Sequence, residues 1–350
     1  MAPPVRRPLP GRRRARRRGS GEGVGRIAIT GTSSFLGGRL LRRLVERRGA
    51  DAVVTLDIAS PPATLHGVRR RLLDFTEPAS DQKLLDALRE EEVETVVHLA
   101  FFTNPRRDTT YSHELESIGT LNLLGAAAAA GIGHVVMRSF TAVYGARGQN
   151  PNFLNEESRL PSNPLLAWSR DKLEAEQHAA SFAKRYPSLK ITILRLAPLF
   201  GPGVLNFYTR VFDNRVVPVV MGYDPLVQLL HPEDALAALE AALERSDGGA
   251  FNVVPRGSLT LLTCLHLADK IPVPVPHPLA YAGSDLLWST GLGQAPGGFV
   301  DYARYSFVAD AEKAERLLGF QARHSSREAL MAYLEYRYPS AKAREAEAIA

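Results

Sequence analysis

The 350-residue sequence predicts an α/β fold: a doubly wound parallel sheet with helices on both faces, followed by a smaller, more irregular C-terminal part. Three observations carry this expectation. Short β-branched runs alternate with helical segments from Arg26 to about residue 197. A glycine-containing loop, "TGTSSFLGG", joins the first run to the first helix. An aspartate, Asp57, ends the second run twenty residues beyond Gly37.

Taken in order, "RIAIT" (26–30), "AVVTLD" (52–57), "TVVHLA" (95–100), "HVVMRS" (134–139) and "KITILRLA" (190–197) have the continuous apolar character of strands buried on both faces, and "LLDFTEP" (72–78) closes a further strand. Between them, "FLGGRLLRRLVERRG", "EPASDQKLLDALREEE", "HELESIGTLNLLGAAAAAG" and "PLLAWSRDKLEAEQHAASFAKRYP" place apolar residues at helical spacing, with Gly or Pro at their ends. Strand-helix alternation implies right-handed crossovers and a parallel sheet. Beyond residue 198 the rhythm changes to short strands, to proline-rich loops such as "KIPVPVPHP" and to helices such as "HPEDALAALEAALER". The expected division is a disordered arginine-rich tail at 1–23, a nucleotide-binding domain at 24–197, a mainly substrate-binding part at 198–338 and a tail at 339–350.

The formal charge of +6 belongs to the N-terminal segment, because residues 1–25 hold eight arginines and one glutamate while the remainder holds 35 basic and 36 acidic residues. Clustered arginines of this kind bind polyanions by releasing counterions, so nucleic acid or an anionic surface is a partner only through this tail; a solvated extension is the simpler expectation. The single cysteine, Cys264, excludes an internal disulfide and fits a reducing, cytoplasmic compartment. No apolar run is long enough to span a membrane.

The loop lies where a pyrophosphate meets a helix N-terminus. Gly31 serves the tight turn, Gly37 the close approach of helix to strand, and Ser34 replaces the middle glycine of the usual pattern, with a hydroxyl able to donate to phosphate. Asp57 is placed to accept hydrogen bonds from both ribose hydroxyls and to repel a 2′-phosphate, which favours NAD over NADP; a surface aspartate ending a strand is the alternative. Asp74 and Phe75 can bracket an adenine, or simply form a strand-end turn.

With "VETVVHLA", "GTLNLLGAAAAAG", "AVYG", "RLAPLFGPG", "QLLHPEDAL" and "ADAEKAERLLGF", these residues resemble the extended short-chain dehydrogenase/reductase family, in its NAD-dependent epimerase/dehydratase branch, over roughly residues 26–338. The resemblance implies a Rossmann-type fold, bound NAD and cofactor contacts from Gly31, Ser34, Phe35, Leu36, Gly37, Asp57, Asp74, Phe75, Ala100 and Lys172. It also implies hydride transfer assisted by a tyrosine, by a lysine four residues later and by a serine or threonine. Here the lysine is Lys172, but Trp168 stands at the tyrosine position, Phe140 at the serine or threonine position, and Glu116 where an asparagine is usual. An indole has no proton to exchange near neutral pH. Tyr144, Asp171, Ser139, Thr141 and His98 are the alternative acids in segments expected near the cleft. Arg195, Arg210 and Arg215 are candidates for a diphosphate, although Pro198 and Gln228 depart from the nucleotide-sugar pattern. The resulting expectation is an NAD-binding protein with a degenerate catalytic site, serving as a ligand-binding or regulatory module. Its ligand is unassigned, with a nucleotide sugar possible through the resemblance, and the helix around Trp168 is a candidate homodimer surface. The alternative is an active epimerase, dehydratase or reductase with a non-standard acid or base.

Overall fold

The computed structural model describes residues 25–59, 65–162, 164 and 166–339; the arginine-rich tail and the segment from 340 onward, about which the sequence raised expectations, lie outside these. The main sheet contains β1 (Arg26–Thr30), β2 (Val53–Asp57), β3 (Arg69–Leu72), β4 (Val93–His98), β5 (His134–Phe140) and β6 (Lys190–Leu196). Later in the chain come β7 (Val216–Val220), β8 (Leu226–Val227), β9 (Gly249–Val253), β10 (Leu259–Thr260) and β11 (Ile271–Val275). The helices are α1 (Phe35–Arg48), α2 (Ser80–Glu90), α3 (Thr109–His113), α4 (Gly119–Ala130), α5 (Ala167–Arg185), α6 (Pro232–Glu244), α7 (Leu261–Leu267), α8 (His277–Thr290) and α9 (Ser326–Arg337).

Seven strands pair in the order β3-β2-β1-β4-β5-β6-β9, all parallel. The seventh, β9, comes from beyond residue 198, because α6 returns the chain to the sheet as one more crossover. The β1, β2 and β5 strands are buried along nearly their whole length, as their β-branched sequences require. By contrast, β3 is an exposed edge of the sequence RRRL, and Arg69 and Arg71 pair there with Glu91, which guards the edge with charge. A second, smaller core joins Phe200, Phe212, Val217, Leu265, Leu330 and Tyr333, and it contains Cys264, whose thiol is pushed up to about 12 by burial.

The segment read as one helix from His113 to Gly131 is interrupted: α3 runs through a π-helical turn, Glu114–Ile118, into α4. Such a turn inserts an extra residue and re-aims its side chains, often at functional sites; here it carries Glu116.

The strand order reverses between β1 and β4, where ligands bind in sheets of this kind. Gly31 closes β1 with φ +69°, and a Cβ there would lie 2.6 Å from the Leu99 carbonyl carbon after β4, so no side chain fits. Gly37 is equally constrained, since a Cβ would sit 2.1 Å from the Gly31 carbonyl oxygen. Gly125 in α4 has nothing within 4 Å of its Cβ position. Gly37→Ala is therefore expected to lower stability by about 1–3 kcal/mol or more through overpacking, whereas Gly125→Ala raises it by about 0.5–1 kcal/mol by removing glycine's backbone entropy from a helix. Urea denaturation of the two variants checks both signs.

Candidate functional site

The loop after β1 forms a cradle at the switch point. Ser34 caps α1: its hydroxyl donates to the Gly31 carbonyl at 2.7 Å and accepts from the Gly37 amide at 3.1 Å. In this arrangement the Ser34 hydroxyl serves the cap, so a phosphate must compete with the Gly31 carbonyl for it. The first-turn amides of Phe35 and Leu36 have no carbonyl one turn earlier to bond, so they are the donors that face an anion. Asp57 is buried and accepts four hydrogen bonds: from Thr32 Oγ1 and Ser33 N, both at 3.0 Å, and from Ser33 Oγ and Ala59 N at 3.2 and 3.3 Å. The two longer bonds both fall on Oδ1. Asp74 closes a turn onto Thr76 N and Oγ1 at 2.9 and 2.7 Å, and Phe75 is buried beside His98, so Phe75 can offer an adenine only its backbone. Ala100 lies at the other wall of the cradle, where a Cβ on Gly31 would approach its amide to 2.7 Å.

Trp168, Phe140, Lys172 and Glu116, distant in sequence, converge beside this cradle. Lys172 and Glu116 are each 1% exposed, and Lys172 Nζ lies 2.8 and 3.0 Å from the two carboxylate oxygens of Glu116. The ammonium also sits 4.4 Å from the Trp168 ring and 5.1 Å from the Phe140 ring. The Phe102 amide donates to Glu116 as well, and the Trp168 indole N–H donates to the Phe102 carbonyl at 3.2 Å. Burial pushes Glu116 up and Lys172 down, and their contact opposes both shifts. The bidentate contact, the Phe102 amide and the two ring faces favour the ionised pair. Phe207 and Phe299, from the C-terminal part, close over Trp168 with ring centroids at 6.0 and 5.4 Å, leaving it 7% exposed. The expectation for Lys172 is thereby amended: it is half of an ion pair, and any ribose must compete with Glu116.

A profile of the NAD-dependent epimerase/dehydratase family matches residues 27–254. The chain belongs to this family. An uncharacterised protein of Mycobacterium tuberculosis is 29% identical over 314 residues, covering 89% of this chain and 84% of that protein. Among solved structures, UDP-glucose 4-epimerase of Thermotoga maritima with UDP-glucose superposes with TM-score 0.69 at 21% identity, covering 90% of this chain and 99% of the other. The dTDP-glucose 4,6-dehydratase of Bacillus anthracis in complex with NAD superposes with TM-score 0.68 at 15% identity, covering 91% and 98%. These likenesses show the shared fold, and NAD is the family's cofactor.

Four of the five alternative acids have side-chain partners, while Thr141 lines a small cavity. His98 bridges Thr30 Oγ1 at 2.7 Å and Thr120 Oγ1 at 3.0 Å, and burial lowers its pKa to about 3. Tyr144 donates to Asn252 at 2.8 Å, Ser139 donates to Glu176, and Asp171 meets His113. Arg195, a candidate for a diphosphate, instead forms a buried pair with Glu176 at 2.6 Å and donates to Tyr144 at 2.8 Å. Arg210 bonds Gln294, and Gln228 clamps Ala309 through both of its amide atoms. Arg138 and Tyr208 were missed by sequence reasoning. They line a small cavity with Thr103, Thr141, Pro198 and Asn206, and Arg138 Nε and Tyr208 Oη have no hydrogen-bond partner among the described residues. Arg138 Nη2 donates to Thr103 Oγ1 at 2.8 Å, and burial lowers the guanidinium to about 10. A charge inside the otherwise apolar run "HVVMRS" was the available signal.

Two outcomes follow from these contacts. Glu116→Gln leaves Lys172 buried without a counter-charge and is expected to lower stability by about 3–5 kcal/mol, while Glu116→Leu with Lys172→Met costs far less; urea titrations of both measure the difference. His98, held neutral in the fold and free to charge when unfolded, confers stability that is complete above pH 6.5 and is lost as pH falls toward 3. That loss runs at up to about 1.4 kcal/mol per pH unit, so a His98→Gln variant should show a shallower acid dependence of its urea midpoint than the parent.

Proposed function

We infer that this chain is an NAD-binding family member in which tyrosine-dependent chemistry is absent or strongly reduced, and that it works as a ligand-binding or regulatory module. The observation that carries this reading is the double commitment at Phe102: the indole N–H at the tyrosine position is bonded to its carbonyl, and the carboxylate bonded to its amide holds Lys172. No hydroxyl stands at either expected proton-transfer position, and general acid-base catalysis of that kind contributes roughly 10²–10⁴ in rate.

The cofactor half has the donors it needs. NAD is assigned to Gly31, Phe35, Leu36, Gly37, Asp57 and Ala100, with Asp74 and the Phe75 backbone toward the adenine. Ser34 acts by capping α1, and Lys172 acts as the structural base of the pocket. The division near residue 197 into a nucleotide-binding domain and a ligand-binding part belongs to the same reading, as does a reducing, cytoplasmic setting; among the described residues no helix is long and apolar enough to cross a membrane. A homodimer through α4 and α5 is the corresponding assembly. The unpartnered Arg138 Nε and Tyr208 Oη supply a donor pair for the ligand's polar group, and the UDP-glucose complex of the Thermotoga relative supports a nucleotide sugar as the first class to test.

A second reading, an active enzyme with a relocated acid, rests on the unpartnered Tyr208 hydroxyl, whose pKa burial raises above the ordinary tyrosine range. Calorimetry with NAD, nucleotide absorbance in the supernatant of denatured protein, and turnover of UDP-glucose and dTDP-glucose separate the two. The expected result is NAD binding without turnover, unchanged in Trp168→Tyr because Glu116 still holds Lys172. Turnover that disappears in Tyr208→Phe establishes the second reading, and failure to bind NAD overturns both.

A further inference from the structure

A second polar cluster lies between α3 and α5, separate from the cradle and from the Arg138 cavity. Asp171, Glu174 and His178 recur along one stripe of α5, and His113 and Ser117 face them from α3 and its π-helical turn. His113 Nδ1 lies 3.1 Å from Asp171 Oδ1 and 3.5 Å from Glu174 Oε2. Ser117 Oγ donates to Glu174 Oε2 at 3.0 Å and meets His178 Nε2 at 3.3 Å.

Asp171 decides what the cluster is for. Its side chain is fully buried, yet Oδ2 has no hydrogen-bond partner among the described residues, and Arg170 Nε stands 3.8 Å from Oδ1. A buried carboxylate served by one imidazole and a distant guanidinium is under-compensated. One imidazole nitrogen and two carboxylate oxygens lie within 4.8 Å of one another, a donor set suited to a divalent transition metal. Zinc bonds of about 2.0–2.2 Å place neighbouring ligand atoms roughly 3.3 Å apart in a tetrahedron; the two separations from His113, 3.1 and 3.5 Å, bracket that edge, and the two carboxylate oxygens lie within 4.8 Å of each other. His113 and Glu174 remain 37% and 33% exposed, which leaves an entry path and a position for water.

We propose that His113, Asp171 and Glu174 form a zinc-binding site that ties α3 to α5, with Ser117 orienting Glu174. The site is independent of the cofactor reading, although Asp171 adjoins Lys172 and His113 opens the turn that carries Glu116.

The test uses full-length protein dialysed against a chelator, titrated with Zn²⁺ by calorimetry and with Co²⁺ by visible absorption. The expected result is one saturable equivalent at micromolar concentration or below and ligand-field bands of the intensity given by low-coordinate cobalt. His113→Gln and Glu174→Gln, both at partly exposed positions that spare the fold, are expected to weaken binding roughly tenfold or more each, and Asp171→Asn to abolish it. Absence of saturable zinc binding overturns the proposal. So does unchanged affinity in a His113→Gln, Glu174→Gln double variant with the parent's circular dichroism, because the metal then sits elsewhere. NAD titration of the same samples keeps failure of this site distinct from failure of the cofactor assignment.

Discussion

The contact on which the pocket depends is the buried pair between Lys172 and Glu116. Two charges with almost no water contact are stable together only when their remaining hydrogen-bonding capacity is met. The chain meets it with the Phe102 amide on one side and the faces of Trp168 and Phe140 on the other. The π-helical turn presents Glu116 to the lysine, and Phe102, in the segment after β4, bonds Glu116 through its N–H and Trp168 through its C=O. The indole at position 168 therefore leaves no hole. The volume holds rings, and the donors have acceptors.

The two halves of the site differ in how much freedom they keep. In the cradle, Gly31 and Gly37 are fixed by backbone contacts that exclude any side chain, while Asp57 holds its loop partners through two shorter and two longer bonds. Around Trp168 the contacts are ring packing, the Lys172 ammonium and one bond to the Phe102 carbonyl. Farther along the sheet, Arg195, Glu176, Ser139, Tyr144 and Asn252 form a second satisfied network that joins β5, β6, α5 and β9. Polar residues that look reactive in a linear sequence are structural in this half of the molecule.

Much of the architecture was readable because it is local. Continuous β-branched runs announce doubly buried strands, and glycine between strand and helix announces the turn at the switch point. Trp168 was also visible, since it sits in a short motif ahead of Lys172. Its consequence was not visible: Glu116 and Lys172 are 56 positions apart, and neither shows a periodicity that points to the other. Arg195 was ambiguous for the same reason, since a charged residue at the end of an apolar strand serves a ligand or a buried partner equally well. The π-helical turn leaves no mark in apolar spacing, and β9, as long as β1, lies in the irregular part past residue 198, where strand-helix alternation no longer marks the main sheet. Arg138 was the exception, a charge within an apolar strand whose oddness could have been pursued.

The bonds at Phe102 also bear on how such a site changes over generations. Restoring a tyrosine at position 168 removes the donor from the Phe102 carbonyl without releasing the lysine. Restoring an amide at position 116 strands the lysine's charge away from water. Changing position 116 alone therefore carries the cost of an unpaired buried charge. On the proposed reading the arrangement works as a ratchet, in which stability alone favours keeping the glutamate and the indole together.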